Sequence, residues 1–209
     1  MKFGGIMKRV FDLKKINLKK KSELLPLNKN FDYIKAYHGC KIYKENQFEN
    51  GLNPLTKQYL IEKILDFKSK LGIDIDLEKY DFRDDLNTTE GKIWFCLSEE
   101  ELLRDCNHYI IYGSEVLHGI LLKYEKANKI REFLAEEGTA CYLECDIPIE
   151  IIPEYLLEKI EDVIKENEGS LELAFSIRQK LSKDSIIKIT KPKILESVLD
   201  EKIYNFEDK

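Results

Sequence analysis

The stretch Phe31-Asp32-Tyr33-Ile34-Lys35-Ala36-Tyr37-His38-Gly39-Cys40-Lys41-Ile42 decides the fold. It is rich in aromatic and other β-favouring residues and stops in the polar run that begins at Lys44, which predicts the first core strand. Near its end, Gly39 lets a ligand approach the backbone, and the His38 ring can donate or accept a hydrogen bond beside it. Twelve residues after Gly39 comes the turn sequence Gly51-Leu52-Asn53-Pro54. Together these features predict one edge of a nucleotide site.

The apolar periodicity of the remaining chain predicts an α+β protein. Apolar residues at helical spacing predict helices over about 55–71, 98–103, 114–138, 153–169 and 171–181. Short β-favouring runs predict further strands over 91–97, 139–147 and 185–190. Strands and helices mix irregularly, without a repeated β-α-β unit, which disfavours a doubly wound parallel sheet. We therefore expect a mixed or antiparallel central sheet flanked by helices.

Length and charge indicate how the chain is divided. Its 209 residues, 43% of them hydrophobic, are enough for the core of a single domain. Residues 2–35 contain ten basic and three acidic residues, a net charge of +7, so the remainder carries −12 within the overall −5. We predict a basic N-terminal arm or small edge element, residues 1–30, and a single α+β domain, residues 31–209. Such an arm fits an anionic partner, a contact with the acidic body, or a solvated tail.

Several classes of protein are disfavoured by the sequence. The chain lacks the G-x-x-x-x-G-K-[ST] loop, the G-x-G-x-x-G fingerprint and the G-x-S-x-G elbow, which disfavours P-loop NTPases, dinucleotide folds and serine hydrolases. No apolar run approaches the ~18 residues of a membrane helix, and no apolar segment of a secretory signal follows the first basic residues. We therefore expect a cytoplasmic protein with no membrane partner.

The five cysteines also argue for the cytoplasm. They are odd in number and irregularly spaced, which is typical of reduced thiols. Cys141 and Cys145 would lie ~13 Å apart along one strand, too far for one zinc ion, so we predict no metal site. A cysteine nucleophile is less favoured, because cysteines inside apolar strands usually serve as small core residues.

Four short motifs occur in a definite order: His38-Gly39, Gly51-Leu52, Gly91-Lys92-Ile93-Trp94-Phe95 and Gly113-Ser114-Glu115. This series resembles the ADP-ribosyltransferase fold family, in which a His-Gly strand, a Gly-Leu turn, an aromatic strand and a later glutamate build the NAD site. The resemblance covers roughly residues 33–115, and the strand predicted over 141–147 is a candidate extension of it. It implies an ADP-ribosyltransferase-like fold that uses NAD as a substrate and transfers ADP-ribose to a macromolecule, either a protein or a nucleic acid. It also suggests a toxin, effector or phage-defence setting.

The resemblance implies a role for each of five residues. His38 would bind a ribose hydroxyl, and the Gly39 backbone would bind the carboxamide of NAD. Trp94 or Phe95 would form the wall on which nicotinamide stacks. Glu115, the catalytic candidate together with His38, would orient the ribose and stabilise the oxocarbenium-like transition state.

The carboxylate is open to a second assignment. Glu115 falls in the first turn of a predicted helix, where acidic residues are common because they suit the helix dipole. Glu144 lies on a predicted strand and is the alternative. A different class of function is a non-catalytic module that binds protein or nucleic acid, including an inactive member of the same fold. Incubation of the purified chain with NAD separates these functions.

Overall fold

The computed structural model describes residues 8–17, 20–166 and 173–207. The helices are α1 (Lys21–Leu24), α2 (Leu27–Asn30), α3 (Lys57–Leu71), α4 (Arg83–Leu86), α5 (Glu99–Arg104), α6 (His108–Ile111), α7 (Glu115–Leu121), α8 (Ala127–Glu136) and α9 (Glu154–Glu166). The strands are β1 (Val10–Phe11), β2 (Tyr33–Ile42), β3 (Ile93–Cys96), β4 (Thr139–Pro148), β5 (Ala174–Ile177), β6 (Ile186–Thr190), β7 (Ile194–Glu196) and β8 (Ile203–Asn205). None of the helices in these described ranges is long and apolar enough to cross a lipid bilayer.

The main sheet is mostly antiparallel. Its strand order is β5-β3-β2-β4-β6, and β1 pairs with the start of β2 as the parallel member. Strands β7 and β8 form a separate antiparallel pair. Helices pack on the sheet, so the prediction of an α+β fold with a mixed or antiparallel central sheet is confirmed. Its likeness to the ADP-ribosyltransferase fold stays a prediction.

Alternation along β2 gives the sheet two apolar faces. Ile34 and Ala36 join a core cluster that includes the buried side of α9. The next residue after Ala36, Tyr37, points to the other side of the sheet and joins a second cluster built from α3, α6, α7 and α8. Because successive side chains of a strand point to opposite faces, one strand contributes to both clusters. We call these the α9 face and the helix-rich face of the sheet.

Helix α3 shows how local signals set the element boundaries. The Thr56 side chain accepts a hydrogen bond from the Tyr59 amide at the first turn. Gly72 ends the helix with a φ of 66°, a left-handed conformation that glycine adopts without strain. Between them Leu60, Ile64 and Phe67 are buried, at the spacing of one helix face. The predicted helix over 55–71 is therefore confirmed.

The helix predicted over 114–138 is two helices, α7 and α8, so that prediction was wrong. A straight helix of this length would extend ~37 Å at 1.5 Å per residue. Instead the chain turns after Leu121, and both Leu121 and Ile130 are fully buried in the same cluster. Burial of the apolar residues of both halves against one core requires the turn.

The helix predicted over 171–181 was also wrong where the structure describes it, since 174–177 is strand β5. Phe175 and Ile177 are buried on the α9 face, and the intervening Ser176 lies opposite Trp94 of β3. Pairing with β3 determines the conformation of this segment, which is a tertiary effect that local spacing does not record. Residues 171–172 lie outside the described ranges.

Described parts of the predicted N-terminal arm contact the domain. Strand β1 pairs with Tyr33 and Ile34, and Phe11 and Leu27 are fully buried in the core cluster of the α9 face. Arg9 forms an ion pair with Asp32 at 2.6 Å. Residues 1–7 and 18–19 of this segment lie outside the described ranges. The described residues of the segment thus extend the edge of the sheet.

Candidate site at a divergence of two strands

The two edges of β2 are paired very differently. Toward β4 it forms ten residue pairs, from Tyr33 opposite Pro148 to Ile42 opposite Thr139. Along the other edge, β1 covers the first two residues and β3 contributes one pair, Tyr37 opposite Cys96. Beyond this pair, ladder pairing between the two described strands stops. We call the region bounded by His38 and Gly39 on β2 and by Trp94 on β3 the β2–β3 opening.

The His38 side chain spans the opening. Its Nδ1 atom lies 2.8 Å from the Trp94 carbonyl oxygen. A carbonyl oxygen can only accept, so Nδ1 carries the proton and donates it. Burial lowers the pKa of His38 and outweighs the bond to Trp94, which raises it, so the ring is neutral at pH 7. In a neutral ring protonated at Nδ1, Nε2 is an acceptor. His38 therefore joins β3 to β2 and keeps one nitrogen atom that can accept from a ligand.

Strand β3 directs its two aromatic residues to opposite faces of the sheet. Phe95 is 1% exposed on the α9 face, where its ring centroid lies 5.6 Å from that of His38. Trp94 is 38% exposed, and the Lys92 ammonium lies 5.5 Å from its ring centroid. The aromatic surface open to a planar ligand is thus Trp94, whereas Phe95 packs against the His38 ring.

Gly39 is favoured by close packing on the helix-rich face. A Cβ atom at this position would lie 3.0 Å from Ile110 Cγ1 and from Tyr109 Cβ, and 3.2 Å from Leu102 Cδ1. Helices α5 and α6 therefore press directly on the backbone of β2. A side chain at position 39 would require these neighbours to shift by a few tenths of an ångström, so this glycine has a structural reason that is separate from any ligand.

Glu115 is linked to this packing contact through one tyrosine. The Tyr109 hydroxyl donates to Glu115 Oε2 at 2.7 Å. Glu115 itself begins α7, where the Ser114 side chain accepts from the Leu117 amide. Gly39, Tyr109 and Glu115 thus form a chain of contacts on the helix-rich face. The His38 ring projects to the α9 face, so the sequence-predicted residues fall into two groups on either side of β2.

The alternative carboxylate, Glu144, is held by an ion pair. Glu144 lies on β4 opposite Tyr37, and its Oε1 accepts from Lys35 Nζ at 2.6 Å. Lys35 also donates to Asp146 at 3.1 Å. The two carboxylates therefore have different partners. Glu144 is paired with the ammonium of Lys35 on β2, whereas Glu115 is exposed and accepts a hydrogen bond from the Tyr109 hydroxyl.

Tyr109 was missed by the sequence reasoning. The run from residue 108 to 112 has no strand or helix signature of its own, and the structure makes it helix α6. Gly113, with a φ of 80°, then turns the chain into α7. The contact between Tyr109 and Glu115 depends on that turn and on the packing of α6 against Gly39. The periodicity of the sequence carries neither piece of information.

No group of three or more His, Cys, Asp or Glu side chains within the described ranges is arranged as a candidate metal site. Comparisons with protein-family models, curated proteins and solved structures give no match. The functional argument therefore rests on the β2–β3 opening and on the motifs that border it.

Proposed function

We propose that the protein is an NAD-dependent ADP-ribosyltransferase with an ADP-ribosyltransferase-like fold. In this proposal it acts in the cytoplasm on a protein or nucleic-acid target, in a toxin, effector or phage-defence setting. The observation that carries the proposal is His38, a neutral histidine fixed by the Trp94 carbonyl at a divergence of two strands. The His38 acceptor lies on the α9 face and the Trp94 indole on the opposite face of the sheet, so the proposal requires that NAD reach both through the gap between β2 and β3.

Binding of NAD would use the groups on both sides of the opening. A hydroxyl of the nicotinamide ribose would donate to His38 Nε2, and the Gly39 backbone would bond the carboxamide. The nicotinamide ring would stack on Trp94. Lys92, which lies over the same indole, would add a positive charge that favours the diphosphate of NAD.

The transfer step follows from the chemistry of the glycosidic bond. The bond between C1′ of the ribose and the pyridinium nitrogen breaks, and its electron pair passes to the ring, which leaves as neutral nicotinamide. A nucleophile of the target bonds to C1′ and gives up its proton to solvent. Positive charge develops on the ribose in between, and the carboxylate of Glu115 would stabilise it electrostatically.

Measurement of NAD binding and turnover tests the proposal. We expect His38→Ala to weaken NAD binding by about tenfold or more, as for loss of one ligand hydrogen bond in a preorganised site. We expect Glu115→Gln to retain NAD binding and lose release of nicotinamide, with Glu144→Gln as the matched carboxylate control. Turnover that survives Glu115→Gln but not Glu144→Gln would reassign the carboxylate. Absence of NAD binding by the wild-type chain would favour the non-catalytic module.

A separate proposal concerns the basic N-terminal segment. Arg9 is paired with Asp32, and Lys14 donates to Glu99, which favours a contact with the body for these two residues. An anionic partner would instead use exposed lysines such as Lys20 and Lys29. We expect the double change of both to Glu to abolish salt-dependent nucleic-acid binding if such a partner exists. Deletion of the whole segment is a poor test, because it would remove the buried residues of β1 and α2.

A further inference from the structure

Two cysteines lie side by side on the α9 face of the sheet. Cys40 of β2 is directly opposite Cys141 of β4 in the antiparallel ladder, and their Sγ atoms are 3.5 Å apart. Cys141 belongs to the core cluster of this face, and Cys40 packs against that cluster. Both are free thiols. The two sulfur atoms are thus in direct contact, and one thiol donates a hydrogen bond to the other.

The ladder holds the two backbones at a separation that suits a disulfide. Opposed residues of an antiparallel pair have Cα atoms about 4.5 or 5.5 Å apart, and disulfides span Cα separations of about 4.4–6.8 Å. Pairs on either side, such as Gly39 opposite Tyr142, fix the two strands. An S–S bond is about 2.05 Å long, so the sulfur atoms need to approach by about 1.5 Å. Rotation about the two Cα–Cβ bonds provides this movement.

The third cysteine on this face is too distant to compete. Cys145 is fully buried on β4 in the same cluster and lies opposite Ala36 of β2. It is four positions from Cys141 in the sequence, which is about 13 Å along a strand. A bond between Cys40 and Cys145 would require the ladder to slip by that distance. The register therefore selects Cys141 as the partner of Cys40.

The two thiols differ in exposure. Cys40 is partly exposed, whereas Cys141 is fully buried. A small oxidant therefore meets Cys40 first, and Cys141 reacts with its neighbour. The product needs no cavity, because the pair loses two hydrogen atoms and gains no group.

We propose that Cys40 and Cys141 are an oxidisable pair that a peroxide converts into a disulfide across the β2–β4 ladder. The Cys40 thiolate attacks one oxygen of hydrogen peroxide, the O–O bond breaks, and the hydroxide released takes up the thiol proton to leave as water. The Cys141 sulfur then displaces the oxygen of the sulfenic acid on Cys40, which forms the S–S bond and releases a second water molecule. Both sulfur atoms are oxidised and the peroxide is reduced. The proposal is independent of NAD, because neither thiol is among the residues assigned to the NAD site.

The contact between the thiols also affects the rate. The hydrogen bond with Cys141, followed by burial, raises the pKa of Cys40. Because the thiolate is the form that attacks, oxidation at pH 7 should be slower than that of an exposed cysteine. In a reducing compartment the pair is then a dithiol, and a disulfide formed there is transient. A dithiol reductant reverses the bond by thiol–disulfide exchange.

Mass spectrometry of the folded, full-length chain tests the proposal. We expect hydrogen peroxide to remove the mass of two hydrogen atoms. A protease digest without reductant should contain one linked peptide that joins the Cys40 and Cys141 sequences, and dithiothreitol should restore the original mass. The same treatment in urea is the control, since without the ladder the five cysteines should give mixed links. Absence of the Cys40–Cys141 link from the oxidised folded chain, or a different link in its place, would overturn the proposal.

Variants separate the two chemical steps. In Cys141→Ala the sulfenic acid on Cys40 has no neighbouring thiol, so dimedone, which traps sulfenic acids, should label Cys40. The matched control is Cys145→Ala, which removes an equally buried thiol of the same strand and should form the link without label on Cys40. Equal labelling of Cys40 in the two variants would contradict a role for Cys141.

A second variant and a stability measurement keep the test independent of the folding of Cys141→Ala. Cys40→Ser changes the partly exposed member, and it should lose the link and leave Cys141 unoxidised; oxidation of Cys141 in this variant would overturn the order of the two steps. The bond would close a long loop between residues 40 and 141, which restricts the unfolded chain. Oxidised wild type should therefore unfold about 5 °C or more above the reduced form. A lower Tm after oxidation would show that the ladder does not accommodate the bond.

Discussion

Strand β2 meets β4 along its whole length but meets β3 at one residue pair. The β4 side also carries fully buried apolar residues such as Leu143 and Cys141. On the β3 side, a histidine ring replaces the missing ladder contact. One strand thus has a closed edge with continuous pairing and an open edge on which ladder pairing is limited to a few residues.

The two edges should therefore contribute unequally to the stability of the sheet. Continuous pairing and burial on one edge supply the stability that an interrupted ladder on the other edge does not. Substitutions along the closed edge should therefore act on stability, and substitutions along the open edge should act on binding. Changes at Leu143 and Trp94 test this division, and changes at Gly39 and His38 test the packing and the protonation next to the open edge; all four follow in order of the expected effect on stability.

Leu143→Ala should have the largest effect. Leu143 is fully buried on β4 opposite His38, and removal of a buried leucine side chain costs about 2–5 kcal/mol. The matched control is Ile189→Ala, its partner across the β4–β6 ladder, which is 44% exposed and should cost less than about 1 kcal/mol. Urea unfolding measures both. Similar losses for the two variants would contradict the assignment of stability to the closed edge.

Gly39→Ala should destabilise by about 1–3 kcal/mol through overpacking. The added Cβ would lie 3.0 Å from both Ile110 Cγ1 and Tyr109 Cβ. Gly119→Ala is the control with the opposite sign, because no atom lies within 4 Å of a Cβ added at that position in α7. Alanine favours a helix over glycine by up to about 1 kcal/mol. Stabilisation by both changes in thermal unfolding would show that α6 does not press on β2 at Gly39.

The sequence predicted the closed edge better than the open one. Strands β2 and β4 have long β-favouring runs. Helix α3 has an N-cap residue, an apolar face and a terminal glycine, so local signals were enough to predict these three elements. Strand β5 was predicted as a helix because its conformation depends on pairing with β3. The same limit applies to the divergence after Tyr37, which results from where β3 is placed.

Local signals also identified some of the candidate site residues and missed others. His38, Gly39 and Trp94 were selected from short motifs, and their role in a ligand site stays a prediction. The link from Glu115 to Gly39 runs through Tyr109, which no motif contains. Spacing along a chain cannot predict contacts that depend on a tertiary turn.

His38→Asn should flatten the dependence of stability on pH. Burial lowers the pKa of His38 in the folded state, so the unfolded chain binds the proton more tightly. The free energy of unfolding should then be greatest above the usual histidine pKa of ~6.5 and fall as the pH drops, by at most about 1.4 kcal/mol per pH unit for one proton. Burial also lowers the pKa of His108 and His118, so part of the slope should remain. Unfolding in urea at pH 7.5, 6.5 and 5.5 measures it, and an unchanged slope would mean that His38 titrates alike in both states.

Trp94→Leu should have the smallest effect on stability and a large effect on ligand binding. The indole is 38% exposed, and leucine keeps most of its apolar surface but has no aromatic face, so the free energy of unfolding should change by about 1 kcal/mol. If nicotinamide stacks on it, NAD affinity should fall about tenfold, in line with base–aromatic stacking of ~1–3 kcal/mol. Tyr155→Leu is the matched control, an aromatic residue on α9 that is 67% exposed and should change NAD affinity not at all and stability little. A stability loss as large as that of Leu143→Ala would mean that the open edge also holds the sheet together. Unchanged NAD affinity would instead remove Trp94 from the site and leave the comparison of the two edges intact.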